Sequence, residues 1–237
     1  MAAAEAPAKK SDLGVRTASA LVMVAIAGTA LWLGGLVWSL FGVAIMLGVL
    51  WEWRCLAAGI TANPVERGLW NAFGIFYVGF ATWMLVWLRT RPDGLLEVLR
   101  LVGAVIAVDI GAFFAGRTFG GPKIAPKISP SKTWTGLIGG MVGASVVMLI
   151  PEGGVHAEDM PFGWRLLFGV ISGSLLAVVA QAGDFFESWM KRRAGVKDSS
   201  ALIPGHGGLF DRVDGLLAVM AVGGILLLAS GGFSGIF

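Results

Sequence analysis

The hydrophobic residues of this chain form seven long runs, and most of its charged residues lie in the segments between those runs. A helix that crosses a bilayer needs about 20 mostly apolar residues, which matches the length of each run. Backbone polar groups must be hydrogen-bonded within lipid, so we predict that the runs are helices. The predicted spans are residues 17–34, 36–53, 69–88, 98–116, 134–151, 165–185 and 213–232.

The composition also indicates a membrane protein. Hydrophobic residues make up 56% of the chain and charged residues 14%, whereas soluble proteins carry about 25% charged residues. We therefore predict an all-α, polytopic integral membrane helix bundle with about seven transmembrane helices, within a range of six to nine. The net charge of +3 is typical of basic loops that face anionic lipid, so no nucleic-acid partner is expected.

The distribution of Lys and Arg predicts the orientation. With the N-terminus inside, fourteen of the 18 basic residues fall on the inner side and four on the outer side. Basic residues are enriched on the cytoplasmic side, so we expect a bacterial-type cytoplasmic (inner) membrane protein whose flexible N-terminus, residues 1–16, is cytoplasmic. An aromatic belt at the membrane surface is predicted from Trp near the ends of spans, namely Trp51, Trp53, Trp70, Trp87 and Trp164.

The stretch VKDSSALIPGHGGLFDRVDG, residues 196–215, gathers charged residues beside the seventh run. Asp211 and Asp214 are three residues apart and therefore share a helix face. With Asp184 at the inner end of the sixth span, they could form an all-oxygen Mg²⁺ site. The alternative is that Asp211 only caps the seventh helix. The intervening Pro and Gly residues predict a tight loop whose backbone amides could approach an anion.

Two acids lie within or beside other spans. Asp109 lies inside the fourth span, where a charge is costly unless it is paired or functional. Two interpretations of Asp109 are open: it pairs with a structural partner such as a Lys, or it has a direct functional role. Glu52 lies at the inner end of the second span, and we interpret it as an interfacial residue with Arg54 nearby.

A second basic segment, residues 117–133, contains hydroxyl groups and three prolines that exclude a regular helix. Its Arg117, Ser129, Lys132 and Thr133 suit phosphate binding. Binding of lipid head groups is the plainer alternative. The spacing of a P-loop is absent. The spans themselves are rich in Gly, which predicts close helix packing.

Two motifs resemble the phosphatidate cytidylyltransferase (CDP-diacylglycerol synthase) family. The upstream block DIGAFFAGRTFGG leads to SPSKT, but Phe113 and Thr135 stand where the family commonly has Tyr and Glu or Gln. The second motif matches in full, with Ser188, Lys191, Arg192, Lys197, Asp198, Pro204, His206, Gly207, Gly208, Asp211, Arg212 and Asp214.

The resemblance implies that CTP and phosphatidate react to CDP-diacylglycerol and pyrophosphate, with Mg²⁺ as cofactor and a second cation as an open alternative. Catalytic roles are implied for Lys197, His206, Asp211 and Arg212, and metal binding for Asp184, Asp211 and Asp214. Substrate contacts are implied for Arg117, Ser129, Lys132, Thr133, Lys191, Arg192, Asp198, Gly207 and Gly208.

The expected organisation follows from these motifs. Residues 17–94 would hold the first three helices, and residues 95–237 would form the catalytic region with helices four to seven and the cytoplasmic loops 117–133 and 186–212. A homodimer is expected from the resemblance. A phosphotransferase of the CDP-alcohol type is a rival, although its DGxxAR motif is missing. A transporter that uses Asp109 and Asp184 is a second rival, although inverted repeats are not evident.

Overall fold

The computed structural model describes residues 13–150 and 161–230. Most of the predicted flexible N-terminus, residues 1–12, lies outside this part of the chain, and the first helix begins four residues before the predicted span. The helices are α1 (Leu13–Leu33), α2 (Gly35–Ile60), α3 (Pro64–Arg89), α4 (Gly94–Phe119), α5 (Trp134–Met148), α6 (Phe162–Arg193) and α7 (Phe210–Ala229). Two short strands, β1 (Lys123–Ala125) and β2 (Ser129–Thr133), join α4 to α5.

Six of these helices, all except α5, are long and apolar enough to cross a membrane. The predicted all-α membrane bundle is therefore confirmed, and the chain is an integral membrane protein. The predicted span 134–151 corresponds to α5, which has 15 residues and a length of about 22 Å. It is shorter than the roughly 30 Å hydrocarbon core because the strands occupy the chain up to Thr133.

Several helices continue past the apolar runs that predicted them. α2 ends at Ile60 and α6 at Arg193, seven and eight residues beyond their predicted spans. The backbone hydrogen bonds of a helix can continue outside the lipid without apolar side chains. Hydropathy therefore underestimates the lengths of α2 and α6. The predicted loops 117–133 and 186–212 are shorter for the same reason, since residues 117–119 and 186–193 are helical. Residues 210–212 already belong to α7.

Glycines bring α4, α5 and α6 into close contact. A Cβ on Gly139 of α5 would collide with Ala115 and with the carbonyl oxygen of Gly111 in α4. A Cβ on Gly173 of α6 would collide with the backbone of Ser145 in α5. Farther along α5, Gly143 contacts Ala107 of α4, and Leu149 just after α5 contacts Gly169 of α6, so residue numbers rise on one helix as they fall on the other. α5 is therefore antiparallel to both neighbours. The close packing predicted from the Gly-rich spans is confirmed.

The centre of the bundle contains Trp53, whose side chain is 1% exposed. Its ring lies 5.6 Å from that of Phe210 in α7 and 5.9 Å from that of Phe186 in α6, between centroids. Its indole N–H donates to the carbonyl of Trp70 at 2.9 Å. The prediction that Trp53 belongs to a surface belt is therefore wrong. Tertiary packing buries this ring because α2 crosses α3, α6 and α7 at this point.

Candidate active site

A β-hairpin replaces the predicted irregular loop between α4 and α5. β1 and β2 are antiparallel, with Lys123 opposite Thr133. The hydroxyl of Thr133 accepts the N–H of Gly136 at 3.1 Å, so this side chain caps α5. Ser129 begins β2, whereas Arg117 lies in the last turn of α4. Ser131, Lys132 and Thr133 of the hairpin lie against α4 and α6.

A cavity of about 370 Å³ lies between α4, the hairpin and α6. Its polar lining combines cations with acceptors and comes from all three elements: Asp109, Arg117, Ser131, Lys132, Thr133 and Gln181. The side chain of Gln181 is buried, and its Oε1 atom has no hydrogen-bond partner among the described residues. An unsatisfied buried acceptor is costly. The cavity therefore supplies both a cationic wall and an unused oxygen ligand, and sequence reasoning did not identify Gln181.

Lys132 joins the hairpin to α6. Its ammonium lies 2.5 Å from Oδ2 of Asp184 and 4.8 Å from the ring centroid of Phe185. The charges of Asp109 and Asp214 interact electrostatically with Asp184 and Lys132. Asp109 interacts with the charges of both Asp184 and Lys132, so both interpretations of this acid stay open. We call Asp109, Lys132, Asp184 and Asp214 the Asp184 cluster. In this cluster Asp184 forms the ion pair with Lys132, and Asp109 of α4 and Asp214 of α7 act on that pair through their charges.

Asp211 lies in an adjacent but separate arrangement. Its Oδ1 contacts the ammonium of Lys191 at 2.5 Å, and Lys191 also pairs with Glu187 at 2.5 Å. Its Oδ2 accepts the backbone N–H groups of Ser199 at 3.1 Å and Gly208 at 2.8 Å. Both oxygens are thus bonded within the protein. Asp211 therefore joins the 199–208 segment to α6 and does not cap α7, in contrast to the alternative considered from the sequence.

The segment ALIPGHGG forms the predicted tight turn. Gly205 and Gly207 have φ values of 75° and 81°, which strain any side chain-bearing residue. Ile203 donates its N–H to the carbonyl of Gly207 at 2.8 Å. The guanidinium of Arg212 donates to the carbonyl of His206 at 2.7 Å, and Nδ1 of His206 lies 2.8 Å from Oγ of Ser19 in α1. Both side chains support the shape of the turn.

The remaining predicted residues lie around these arrangements. The side chains of Lys197 and Asp198 are exposed on the α6–α7 connection. Arg192 donates to the carbonyl of Ile128 at 3.4 Å and so links α6 to the hairpin. Ser188 donates to Oδ1 of Asp184 at 3.3 Å. All of these residues lie at one end of the bundle, as the sequence predicts.

The role of Glu52 was not predicted, because we interpreted it as interfacial. Its side chain is fully buried and accepts the hydroxyls of Ser199 and Ser200 at 2.9 and 2.5 Å. It also accepts the N–H groups of Leu209 and Phe210 at 2.8 and 2.7 Å. α7 has no capping side chain of its own, so Glu52 satisfies its first free N–H groups from α2. The available signal in the sequence was an acid directly between two Trp residues at the end of an apolar run, which indicates a buried and paired carboxylate.

The predicted metal ligands are only partly brought together. In residues 13–150 and 161–230, the side-chain positions give no group of three His, Cys, Asp or Glu residues that could hold a metal ion. Asp211 is engaged by Lys191, while Asp184 and Asp214 remain in one cluster. Asp184 lies one helical turn after Gln181 in α6, and carboxylate and amide oxygens are both hard donors. Mg²⁺ binds in proteins through one or two carboxylates, water and substrate phosphate. These donors fit Mg²⁺.

Comparison with known proteins agrees with this site. Residues 55–229 match the family model described as the cytidylyltransferase family. A phosphatidate cytidylyltransferase of Brucella suis is 37% identical over 255 residues, covering 90% of this chain and 92% of that protein. Those of Rickettsia typhi and Pseudomonas aeruginosa are 35% and 34% identical, over 90% and 81% of this chain and 91% and 71% of their own lengths. The chain therefore belongs to the cytidylyltransferase family.

Proposed function

We propose that this protein is a phosphatidate cytidylyltransferase, which converts CTP and phosphatidate to CDP-diacylglycerol and pyrophosphate. The observation that carries the proposal is the 370 Å³ cavity, whose lining combines Arg117 with Lys132 and Asp109 of the Asp184 cluster. Cations alone would bind phosphate, and carboxylates alone would bind a metal. Their juxtaposition at the end of membrane helices fits a metal–nucleotide complex that meets a lipid phosphate.

The chemistry requires little from a general base. An oxygen of the phosphatidate phosphate forms a bond to the α-phosphorus of CTP, and the bond from that phosphorus to the pyrophosphate oxygen breaks. The attacking phosphate is already ionised, so no proton must be removed. Both reactants are anions, and Lys132 and Arg117 would reduce their repulsion and stabilise the charge on the leaving pyrophosphate. Electrostatics and positioning then dominate the rate.

We propose that Asp184 and Asp214 are the primary Mg²⁺ ligands. Bound there, Mg²⁺ would neutralise phosphate charge as a Lewis acid. Lys132 pairs with Asp184 in the present structure and would transfer to a substrate phosphate when the metal binds. Asp211 would instead orient the 199–208 segment, because Lys191 and two backbone N–H groups already occupy its oxygens.

The 203–208 turn would form the second wall of the site. The exposed ammonium of Lys197 is available for pyrophosphate. His206 and Arg212 hold the turn and would add hydrogen bonds to phosphate at its edge. Gly207 and Gly208 would let backbone amides approach the anion closely.

The proposal extends to location. The excess of Lys and Arg at the end that carries the hairpin and the 199–208 segment supports a cytoplasmic site in a bacterial inner membrane, with a cytoplasmic N-terminus. CTP is present on that side, and phosphatidate can enter sideways from the inner leaflet. A homodimer is part of the same proposal, supported by the family likeness.

The direct test is a turnover assay on the purified full-length protein in detergent. CTP should be consumed only when phosphatidate and Mg²⁺ are both present. Each CTP consumed should yield one pyrophosphate and one cytidine-containing lipid. Excess EDTA should stop the reaction, and added Mg²⁺ should restore it. Consumption of CTP without phosphatidate, or transfer of an alcohol onto CDP-diacylglycerol, would contradict the proposal. Uptake of solute into vesicles without nucleotide turnover would favour the transporter.

A further inference from the structure

A second polar cavity lies on the opposite side of α2 from the active site. It has a volume of about 820 Å³, and α2 and α3 line it with Leu50, Trp51, Trp53, Arg54, Cys55, Ala58, Arg67, Asn71 and Ile75. It shares no lining residue with the 370 Å³ cavity. The buried ring of Trp53 separates it from α6 and α7. This cavity is therefore a distinct feature.

The polar groups of this cavity are incompletely satisfied. Nε of Arg67 and Oδ1 of Asn71 are buried and have no hydrogen-bond partner among the described residues. One terminal nitrogen of Arg67 donates to the carbonyl of Thr61 at 3.2 Å, which fixes the guanidinium in place. Buried polar atoms are normally paired, so an unpaired donor and an unpaired acceptor in one cavity indicate a missing ligand.

The charge of the cavity specifies an anion. Arg54 and Arg67 both contribute, and none of the described residues that line the cavity is acidic. Two acids are adjacent in sequence to lining residues, and both are engaged elsewhere. Glu52 points to the other side of α2, where its oxygens accept from the 199–210 segment. Glu66 is exposed and accepts the hydroxyl of Thr61 at 2.6 Å. Guanidinium groups bind phosphate through paired N–H donors.

The position of the cavity specifies a lipid. Leu50 and Ile75 supply an apolar wall, and the exposed Trp51 is of the type that lies at the membrane surface. The second half of α2 reaches the 199–210 segment through Glu52, so the cavity lies at the same membrane face as the active site. Basic pockets between helices on that face accommodate anionic lipid head groups.

We propose that this cavity binds the head group of an anionic phospholipid, with Arg54 and Arg67 on the phosphate and Asn71 accepting a head-group hydroxyl. We call it the α2–α3 lipid site. The lipid comes from the surrounding leaflet and is separate from the two substrates. Its phosphodiester carries one negative charge and accepts hydrogen bonds from both guanidinium groups, and its acyl chains lie along the outer surfaces of α2 and α3.

The test is native mass spectrometry of the full-length protein with phosphatidylglycerol or zwitterionic phosphatidylcholine added. We expect selective retention of phosphatidylglycerol, about five-fold weaker in Arg67→Gln and about 30-fold weaker in the Arg54→Gln/Arg67→Gln variant. The matched control is Arg193→Gln, which removes an exposed charge from the last turn of α6 and should leave binding unchanged. Equal loss in the control, or none in the double variant, would overturn the proposal.

Two further experiments distinguish lipid binding from a folding defect and from binding of free phosphate. Asn71→Leu keeps both guanidinium groups and should weaken phosphatidylglycerol binding a few-fold with an unchanged elution volume in gel filtration. Unchanged binding in this variant would contradict the role of the hydroxyl. An excess of inorganic phosphate should not displace the lipid, because the apolar wall contributes to its binding. Full displacement by phosphate would reject a lipid as the occupant.

Discussion

The carboxylate of Glu52 in α2 accepts the backbone N–H of Phe210 at the start of α7, at a distance of 2.7 Å and across 158 residues of sequence. A helix N-terminus needs acceptors for its free N–H groups, and a negative charge there is favourable. The same carboxylate accepts the hydroxyls of Ser199 and Ser200. One buried side chain thereby positions the segment that leads into Asp211 and Asp214.

Replacing Glu52 should therefore damage both the fold and the active site. Glu52→Ala leaves three donors without an acceptor, since the hydroxyl of Ser199 can still donate to Asp211, and we expect it to destabilise the protein by about 3 kcal/mol or more. Glu52→Gln keeps one acceptor oxygen and should be less harmful. The measurements are the melting temperature in detergent and CTP turnover. Glu66→Gln, which alters an exposed carboxylate of α3, is the control and should melt like the parent protein.

Lys132 is expected to be essential for turnover because it links the hairpin to Asp184. Lys132→Gln should lower kcat/KM for CTP by about 100-fold, the usual effect of losing one charge-stabilising donor. Lys127→Gln changes an exposed Lys of the same hairpin and provides the control. A similar loss in both variants would show that net charge, rather than the position of Lys132, determines activity.

Asp211 and Asp214 should respond differently to the same substitution. Asp211→Asn removes a charge paired with Lys191 and should lower the melting temperature by about 5 °C. Asp214→Asn relieves repulsion with Asp184 and should leave the melting temperature unchanged or higher, yet abolish Mg²⁺-dependent turnover. The experiment compares thermal melting with a Mg²⁺ titration of activity. Full activity of Asp214→Asn would remove this residue from the proposed metal ligands.

The contact of α4 with α5 depends on glycine. Gly139→Leu would place a side chain against Ala115 and the Gly111 carbonyl, so it should separate the helices and displace the hairpin. We expect a strongly reduced monodisperse peak in gel filtration. Gly223→Leu is the control, since a Cβ there meets open space. Normal elution of both variants would disprove the requirement for close packing.

The hydroxyl of Ser19 connects α1 to the turn that contains His206. Ser19→Ala should loosen this turn and reduce turnover a few-fold, with little effect on melting, because one partly buried hydrogen bond contributes about 1 kcal/mol. Ser39→Ala, whose hydroxyl bonds only within α2 to Gly35, is the matched control. If Ser19→Ala retains parental kcat and KM, α1 does not contribute to the site.

The amino-acid sequence determines the membrane class, the helix order and the end of the bundle that carries the site. Long apolar runs have one stable solution in lipid, and the fixed spacing around Lys197, His206 and Asp211 identifies the family without coordinates. The i,i+4 pair of Glu187 and Lys191 is also predictable, because helix geometry alone places those side chains together.

Tertiary structure alone decides how the acids divide between two arrangements. Asp211 and Asp214 share a helix face, yet Lys191 holds the first while the second interacts with Asp184 and Lys132. The burial of Glu52 and the unpaired Gln181 likewise depend on elements distant in sequence. Local periodicity places a side chain on a face of its own helix. Its partner is set by which helices pack closely, and here that depends on contacts such as Gly111 with Gly139.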